Sequence, residues 1–197
     1  MKSKNTLLVL FTLALALCAG YAVAQTAPAP DTLKVDYFSG ASHDDVSPAI
    51  VVPDGTFRII NPGTAGGYLC ADIFVFDSYQ ELSECCSCSL SPDALLTLSV
   101  NYNLTSNPLT GVYLSTGAVK VVSSARKGSY CSFPSSLTPT AGLRSWMTHI
   151  QTGYIITETA SQDATLSAAE VKRLQGECYA IQLDGSGSGV CSCGSIE

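Results

Sequence analysis

Basic charge is scarce in this chain: ten Lys and Arg face sixteen Asp and Glu, and two of the ten, Lys2 and Lys4, sit at the extreme N-terminus. The others are scattered singly or in pairs, so no cationic stripe exists to neutralise a phosphate backbone or an anionic bilayer. Nucleic acid and membrane surfaces are therefore not expected as partners. Long hydrophobic runs are just as rare. Only Leu7–Leu17 qualifies, broken by Thr12, and it is shorter than a bilayer span requires. No transmembrane segment is expected in the mature chain. The sequence also lacks a G-x-S-x-G elbow, an H-E-x-x-H pair and a phosphate-cradling glycine loop. Histidine occurs twice, tryptophan once, and no segment repeats at a fixed period. Composition alone thus points to no reaction and no cofactor.

What is present begins with an export pattern. Lys2 and Lys4 precede the apolar Leu7–Leu17 core, and Ala22-Val23-Ala24 offers an A-x-A cleavage site. Residues 1–24 are expected to be a signal peptide, with the mature chain starting at Gln25. Lipid attachment at Cys18 is the rival, disfavoured because Leu17 stands where a small residue is usual. Residues 25–30 (QTAPAP) read as an extended Pro/Ala-rich spacer. Residues 31–197 are long enough for a single β-rich domain with a core of its own. The expected location is exported: periplasm, cell surface or medium.

Eight cysteines remain after the signal: Cys70, Cys85, Cys86, Cys88, Cys131, Cys178, Cys191 and Cys193. An even count in an exported chain favours a disulfide framework. Adjacent Cys85 and Cys86 make strained partners for each other, so each is expected to reach a distant cysteine. Cys86/Cys88 and Cys191/Cys193 are each two apart, so each pair projects from one face of an extended strand. The tail can then be stitched onto the Cys85–Cys88 segment. Such bridges close loops of about a hundred residues, each worth roughly 2–5 kcal/mol in the chain-entropy account. The competing chemistry is a metal. Cys86, Cys88, Cys191 and Cys193 supply the four thiolates of a tetrahedral zinc or copper site, although an oxidising compartment turns thiols into disulfides. A redox role is weaker still, because no βαβ setting or neighbouring cation lowers a thiol pKa.

Short apolar runs separated by Gly, Pro, Asn and Ser read as strands at Leu33–Phe38, Ala49–Val52, Thr56–Ile60, Tyr68–Phe76, Leu95–Tyr102, Ala118–Val122, Gly153–Thr159 and Cys178–Leu183. The breakers between residues 61 and 67 suggest that Thr56–Ile60 and Tyr68–Phe76 pair as a hairpin. Asp77-Ser78 suits a hairpin turn better than a helical one, and Ser91-Pro92-Asp93 suits a type I turn. One helix is signalled by the capping box Ser167-Ala-Ala-Glu170, stapled by Leu166 and Val171 and ended at Gly176. The expected fold is all-β: a disulfide-stapled β-sandwich or small barrel with one short α-helix.

Few residues stand out as chemistry. His149 near an apolar strand reads as packed or hydrogen-bonded, and a serine with a remote Asp would turn it into a hydrolytic base. His43 beside Asp44 and Asp45 reads as a solvated loop. Glu81 and Glu84 form a possible carboxylate pair, more simply an acidic edge. Trp146 is either core or a ligand platform. Asp184–Gly189 has the spacing of the first half of an EF-hand loop but one carboxylate, so a flexible Gly/Ser loop is expected. Asn103-Leu104-Thr105 matches a glycosylation sequon.

The segments Glu84-Cys-Cys-Ser-Cys88, Ser145-Trp-Met-Thr-His-Ile-Gln151, Ala164-Thr-Leu-Ser-Ala-Ala-Glu170 and Gly187-Ser-Gly-Val-Cys-Ser-Cys-Gly194 resemble a group of exported bacterial proteins of unknown function, over most of the mature chain. The resemblance implies bacterial secretion and carries no activity, substrate or catalytic residue. The expected role is a non-enzymatic binding, adhesive or cell-envelope structural one, with an envelope or extracellular protein or a glycan as partner. The alternatives are a secreted hydrolase using loop residues around His149 and a metal-binding protein using the CxC pairs.

Overall fold

The computed structural model describes residues 31–39, 54–105, 114–131, 137–151, 155–184 and 191–194. The expected signal peptide and spacer, the strand at Ala49–Val52, His43 and the loop following Asp184 lie outside them. Within them run nine strands: β1 (Leu33–Ser39), β2 (Thr56–Ile60), β3 (Leu69–Asp77), β4 (Leu82–Leu90), β5 (Leu95–Ser99), β6 (Thr116–Ala125), β7 (Arg144–Gln151), β8 (Ile155–Ala160) and β9 (Gln162–Ala164). One α-helix, α1 (Ala168–Asp184), closes the order.

The strands pair antiparallel in two sheets, β4-β3-β6-β1-β9 and β5-β2-β7-β8. The sheets face each other without closing into a barrel, so of the two expected architectures the sandwich is the one formed. Alternation explains the smaller sheet. Phe57 and Ile59 of β2 lie opposite Leu98 and Leu96 of β5 and point inward, while Thr97 and Leu95 point outward. β3 shows no such alternation, since eight of its nine residues are buried. Leu69, Ala71, Ile73 and Val75 join the inter-sheet core, whereas Phe74 and Phe76 join a second cluster with Leu166, Leu174 and Cys178. The large sheet is thus covered twice, by the small sheet within and by α1 without. A strand with two covered faces reads as a continuous apolar run. Gly117 on β6 serves this packing: a Cβ there would stand 2.1 Å from the Phe76 carbonyl oxygen and 2.5 Å from the Phe38 ring.

Several expectations are corrected. Thr56–Ile60 and Tyr68–Phe76 do not form a hairpin; β2 and β3 belong to different sheets, and the residue 61–67 segment is a sheet-to-sheet crossing. Asn61 organises it, donating to the Gly67 and Leu90 carbonyls at 2.9 and 3.1 Å. Cys178–Leu183 is helical, and Gly176 does not end α1. A mid-helix glycine costs about 1 kcal/mol, which the buried Leu174 and Cys178 on one helical face offset. Leu95–Tyr102 is strand only to Ser99; a π-helical turn, Val100–Leu104, follows. Asp93 has φ 65°, a value a type I turn does not use at that position, although Ala94 N–H does bond the Ser91 carbonyl. Arg144–Gln151 and Leu82–Leu90 are strands that the sequence reading did not delimit. The Asp77 turn is as expected: Asp77 Oδ1 accepts from the Tyr79 and Glu81 amides and joins β3 to β4. At the helix start Ser167 Oγ accepts from Glu170 N at 3.1 Å, but the Glu170 carboxylate turns to Lys120 and Arg173.

Candidate functional site

The gap between the sheets opens on two sides, one lined by cysteines and the other by charged and polar groups. On the first side lie the edge strands β4 and β5. In β4, Cys85 and Cys86 are adjacent and therefore point to opposite faces. Cys85 reaches outward to Cys178 of α1, while Cys86 and Cys88 reach inward to Cys191 and Cys193. Cys70 of β3 pairs with Cys131. Cα separations of 5.2–5.9 Å are those of ordinary disulfides. All eight of these cysteines are bonded, and the tail is stitched to β4 by two of the four bridges. Ser192 N–H donates to the Asn103 carbonyl at 3.0 Å, which holds the tail against the turn after β5. The sequon residue Asn103 is itself engaged, its Oδ1 accepting from Ser99 N.

This geometry bears on the metal alternative. The sulfurs of Cys86, Cys88 and Cys193 lie within 4.8 Å of one another. Each is nonetheless consumed in an S–S bond, and a disulfide sulfur is not the thiolate that zinc or copper(I) requires. The four CxC sulfurs pair as two staples, Cys86–Cys191 and Cys88–Cys193.

The second side lies between β1/β9 and β7/β8, and polar groups fill it. Lys34 is 3% exposed and pairs with both Asp31 and Asp163. Asp31, at φ 78°, also takes Arg144 on its other carboxylate oxygen. Deeper in the gap, Asp36 Oδ2 accepts from Ser161 Oγ at 2.9 Å. His149 is buried, with Nε2 2.8 Å from Thr159 Oγ1 and 3.5 Å from Asp36 Oδ1, and Tyr37 stacks on its ring at 4.1 Å. Ser39 Oγ donates to the Ile150 carbonyl at 3.2 Å.

A hydrolytic triad needs the acid on one ring nitrogen of the histidine and the nucleophile on the other. Here Asp36 and Thr159 share Nε2, and the buried Nδ1 has no hydrogen-bond partner among the described residues. The serine nearby, Ser161, is bonded to Asp36 instead. This arrangement orients and buries a histidine, and among the described residues no serine and acid take its two ring nitrogens. Glu81 is exposed in the β3–β4 turn while Glu84 is buried in β4, so the two carboxylates do not share an environment.

A cleft of about 500 Å³ opens on this second side, lined by Asp31, Lys34, Arg144, Ser145, Trp146, Ala160, Ser161 and Asp163. No family model, no curated protein and no solved structure matches the chain. The residues of this cleft must therefore speak for themselves. Trp146, the sole tryptophan, is half-buried at the wall rather than in the core. Asp31, Lys34, Arg144, Ser161 and Asp163 escaped the sequence reading because they come from β1 and the turn before it, β7, the β8–β9 junction and β9, and meet only in the folded state. One signal existed: Lys34 and Asp36 share strand parity with Phe38, which marks their face as the inward one.

Elsewhere, one carboxylate is perturbed without facing a cleft. Asp72 of β3 is buried and accepts from Ser87 Oγ at 2.5 Å and from Ser124 Oγ. Burial pushes its carboxyl up to about 6, only partly opposed by the Ser124 and Ser87 hydroxyls. No described helix is long and apolar enough to cross a membrane.

Proposed function

We propose that this chain is an exported, disulfide-stapled β-sandwich acting as a non-enzymatic binding module of the cell envelope or extracellular space, with the β1/β9–β7/β8 cleft as its ligand site. The observation that carries the reading is the cleft itself: an open, ligand-sized concavity whose walls are charged pairs, hydroxyls and a half-buried tryptophan. Its side chains are suited to recognition, and Ser161, the serine beside His149, bonds Asp36 rather than the histidine. Export is supported by the N-terminal pattern and by four disulfides, which persist in oxidising compartments.

The test has two parts. Protein recovered from outside the cytoplasm is expected to begin at Gln25 and to have no cysteine open to alkylation after denaturation. It is also expected to sediment with isolated envelope or extracellular-matrix material, and Trp146→Ala is expected to abolish that sedimentation. Retention of residues 1–24 on cytoplasmic protein would end the export reading. Sedimentation indifferent to Trp146→Ala, or none at all, would end the assignment of the cleft.

A further inference from the structure

We infer that the cleft takes a neutral saccharide; this deepens the binding-module reading and rests on it. Two cations and two carboxylates line the cleft, and they are already matched, Lys34 to Asp31 and Asp163, and Arg144 to Asp31. An ionic ligand would have to separate one of these pairs and leave a charge uncompensated, at a cost that grows with the burial of Lys34. A hydroxyl-rich neutral ligand separates none of them. Each sugar hydroxyl donates to a carboxylate oxygen or accepts from the guanidinium or ammonium while the pairs stay intact. Trp146 adds an apolar surface of the kind on which the C–H face of a pyranose rests.

Ser145 lines the same cleft through its backbone: its carbonyl accepts from the Ser161 N–H across the gap at 2.9 Å. Its Oγ is closed to solvent and shares strand parity with Met147 and His149, on the inward face of β7. Arg144 and Trp146 flank it on the other face of the strand. The cleft thus combines compensated ionic pairs with an aromatic wall, which together select a polyhydroxylated, uncharged ligand.

Trp146 makes the test direct, because as the chain's only tryptophan it reports on the cleft alone. The oxidised mature protein is titrated with neutral tetrasaccharides (β-glucan, α-glucan, mannan and chitin series), with oligogalacturonate as the anionic probe and with deacetylated chitin oligomers as the cationic one. The expected result is a saturable shift in Trp146 emission with at least one neutral series and weaker or absent response to both charged probes. Arg144→Gln, at a half-exposed position, is expected to weaken that neutral ligand by about fivefold or more. Asp163→Asn, at an exposed position, is the second variant should Arg144→Gln fold poorly, and is expected to weaken binding likewise. A charged probe that binds where no neutral one does overturns the ligand class and leaves the cleft assignment standing. Silence from every sugar overturns the inference; whether Trp146→Ala still abolishes envelope sedimentation then decides the fate of the binding-module reading separately.

Discussion

On the β4/β5 side the gap between the sheets is closed by Cys86–Cys191 and Cys88–Cys193, whereas on the β1/β9–β7/β8 side it is closed by Lys34, Asp31, Asp163, Arg144, Asp36 and His149. The first closure is covalent, indifferent to pH and salt, and filled by the tail. The second is ionic and hydrogen-bonded, and it leaves an open cleft. The contrast teaches how a modest domain keeps a polar cavity: covalent closure is concentrated on one side, which permits the opposite side to stay open and polar. Native sheets cover exposed edges with a helix or loop, and here the tail lies against two edge strands that would otherwise invite intermolecular pairing.

The bridges are not equivalent. Because Cys85–Cys178 already ties α1 to β4, Cys86–Cys191 closes a ring of about sixteen residues and Cys88–Cys193 then one of about six, worth about 3 and about 2 kcal/mol respectively. Full reduction breaks the comparison most completely. Denaturation in reductant followed by dilution is expected to leave no cooperative unfolding transition, because the summed loss rivals the entire stability of a domain this size; circular dichroism checks it. Replacing Cys86, Cys88, Cys191 and Cys193 together by Ala is expected to cost about 5 kcal/mol in urea, against about 2 kcal/mol for Cys88 and Cys193 alone. Equal losses would mean that the inner bridge, not the tail as a unit, closes that side.

Acid sharpens the comparison, since protons reach carboxylates and not disulfides. Asp72 binds its proton more tightly folded than unfolded, so its contribution is present below about pH 4 and is lost as pH rises through about 6. The fall is expected to be about 3 kcal/mol across that window. Asp72→Asn is expected to flatten it and to be the more stable protein at pH 7, as unfolding curves at pH 4 and 7 will reveal. Glu170 works in the opposite sense. Arg173 first, with Lys120, holds its carboxyl down at about 2, so its contribution is present above the ordinary 4.5 and lost as pH falls toward 2. The smallest effect is expected from Asp36→Asn, at about 1 kcal/mol, since it weakens one hydrogen bond to Ser161 and a histidine contact. A loss as large as that of the four-cysteine variant would show the polar side to be the stronger closure.

The sequence made the covalent side legible and hid the polar one, for a physical reason. Strand periodicity and the strain of bridging neighbouring cysteines act over two or three residues, so the separate, distant partners of Cys85 and Cys86 and the CxC stitching followed from spacing. The start of α1 was equally local, written in Ser167 and Glu170. What failed was decided at a distance. β2 and β3 look like hairpin partners until the second sheet claims β2, and Gly176 looks like a helix end until Cys178 is tied to Cys85. The cleft depends on β1, β7, β8 and β9 meeting, and its charged residues look in sequence like solvated surface.

The Cys88–Cys193 bridge also decides how the molecule carries load. Pulled from Gly194, tension enters at Cys193 and crosses directly to Cys88, a step of 105 positions along the chain. The intervening length, including α1 and six of the nine described strands in whole or part, is bypassed and cannot be drawn out as slack. A tether attached at Gly194 would stretch only through the residues that precede Cys88.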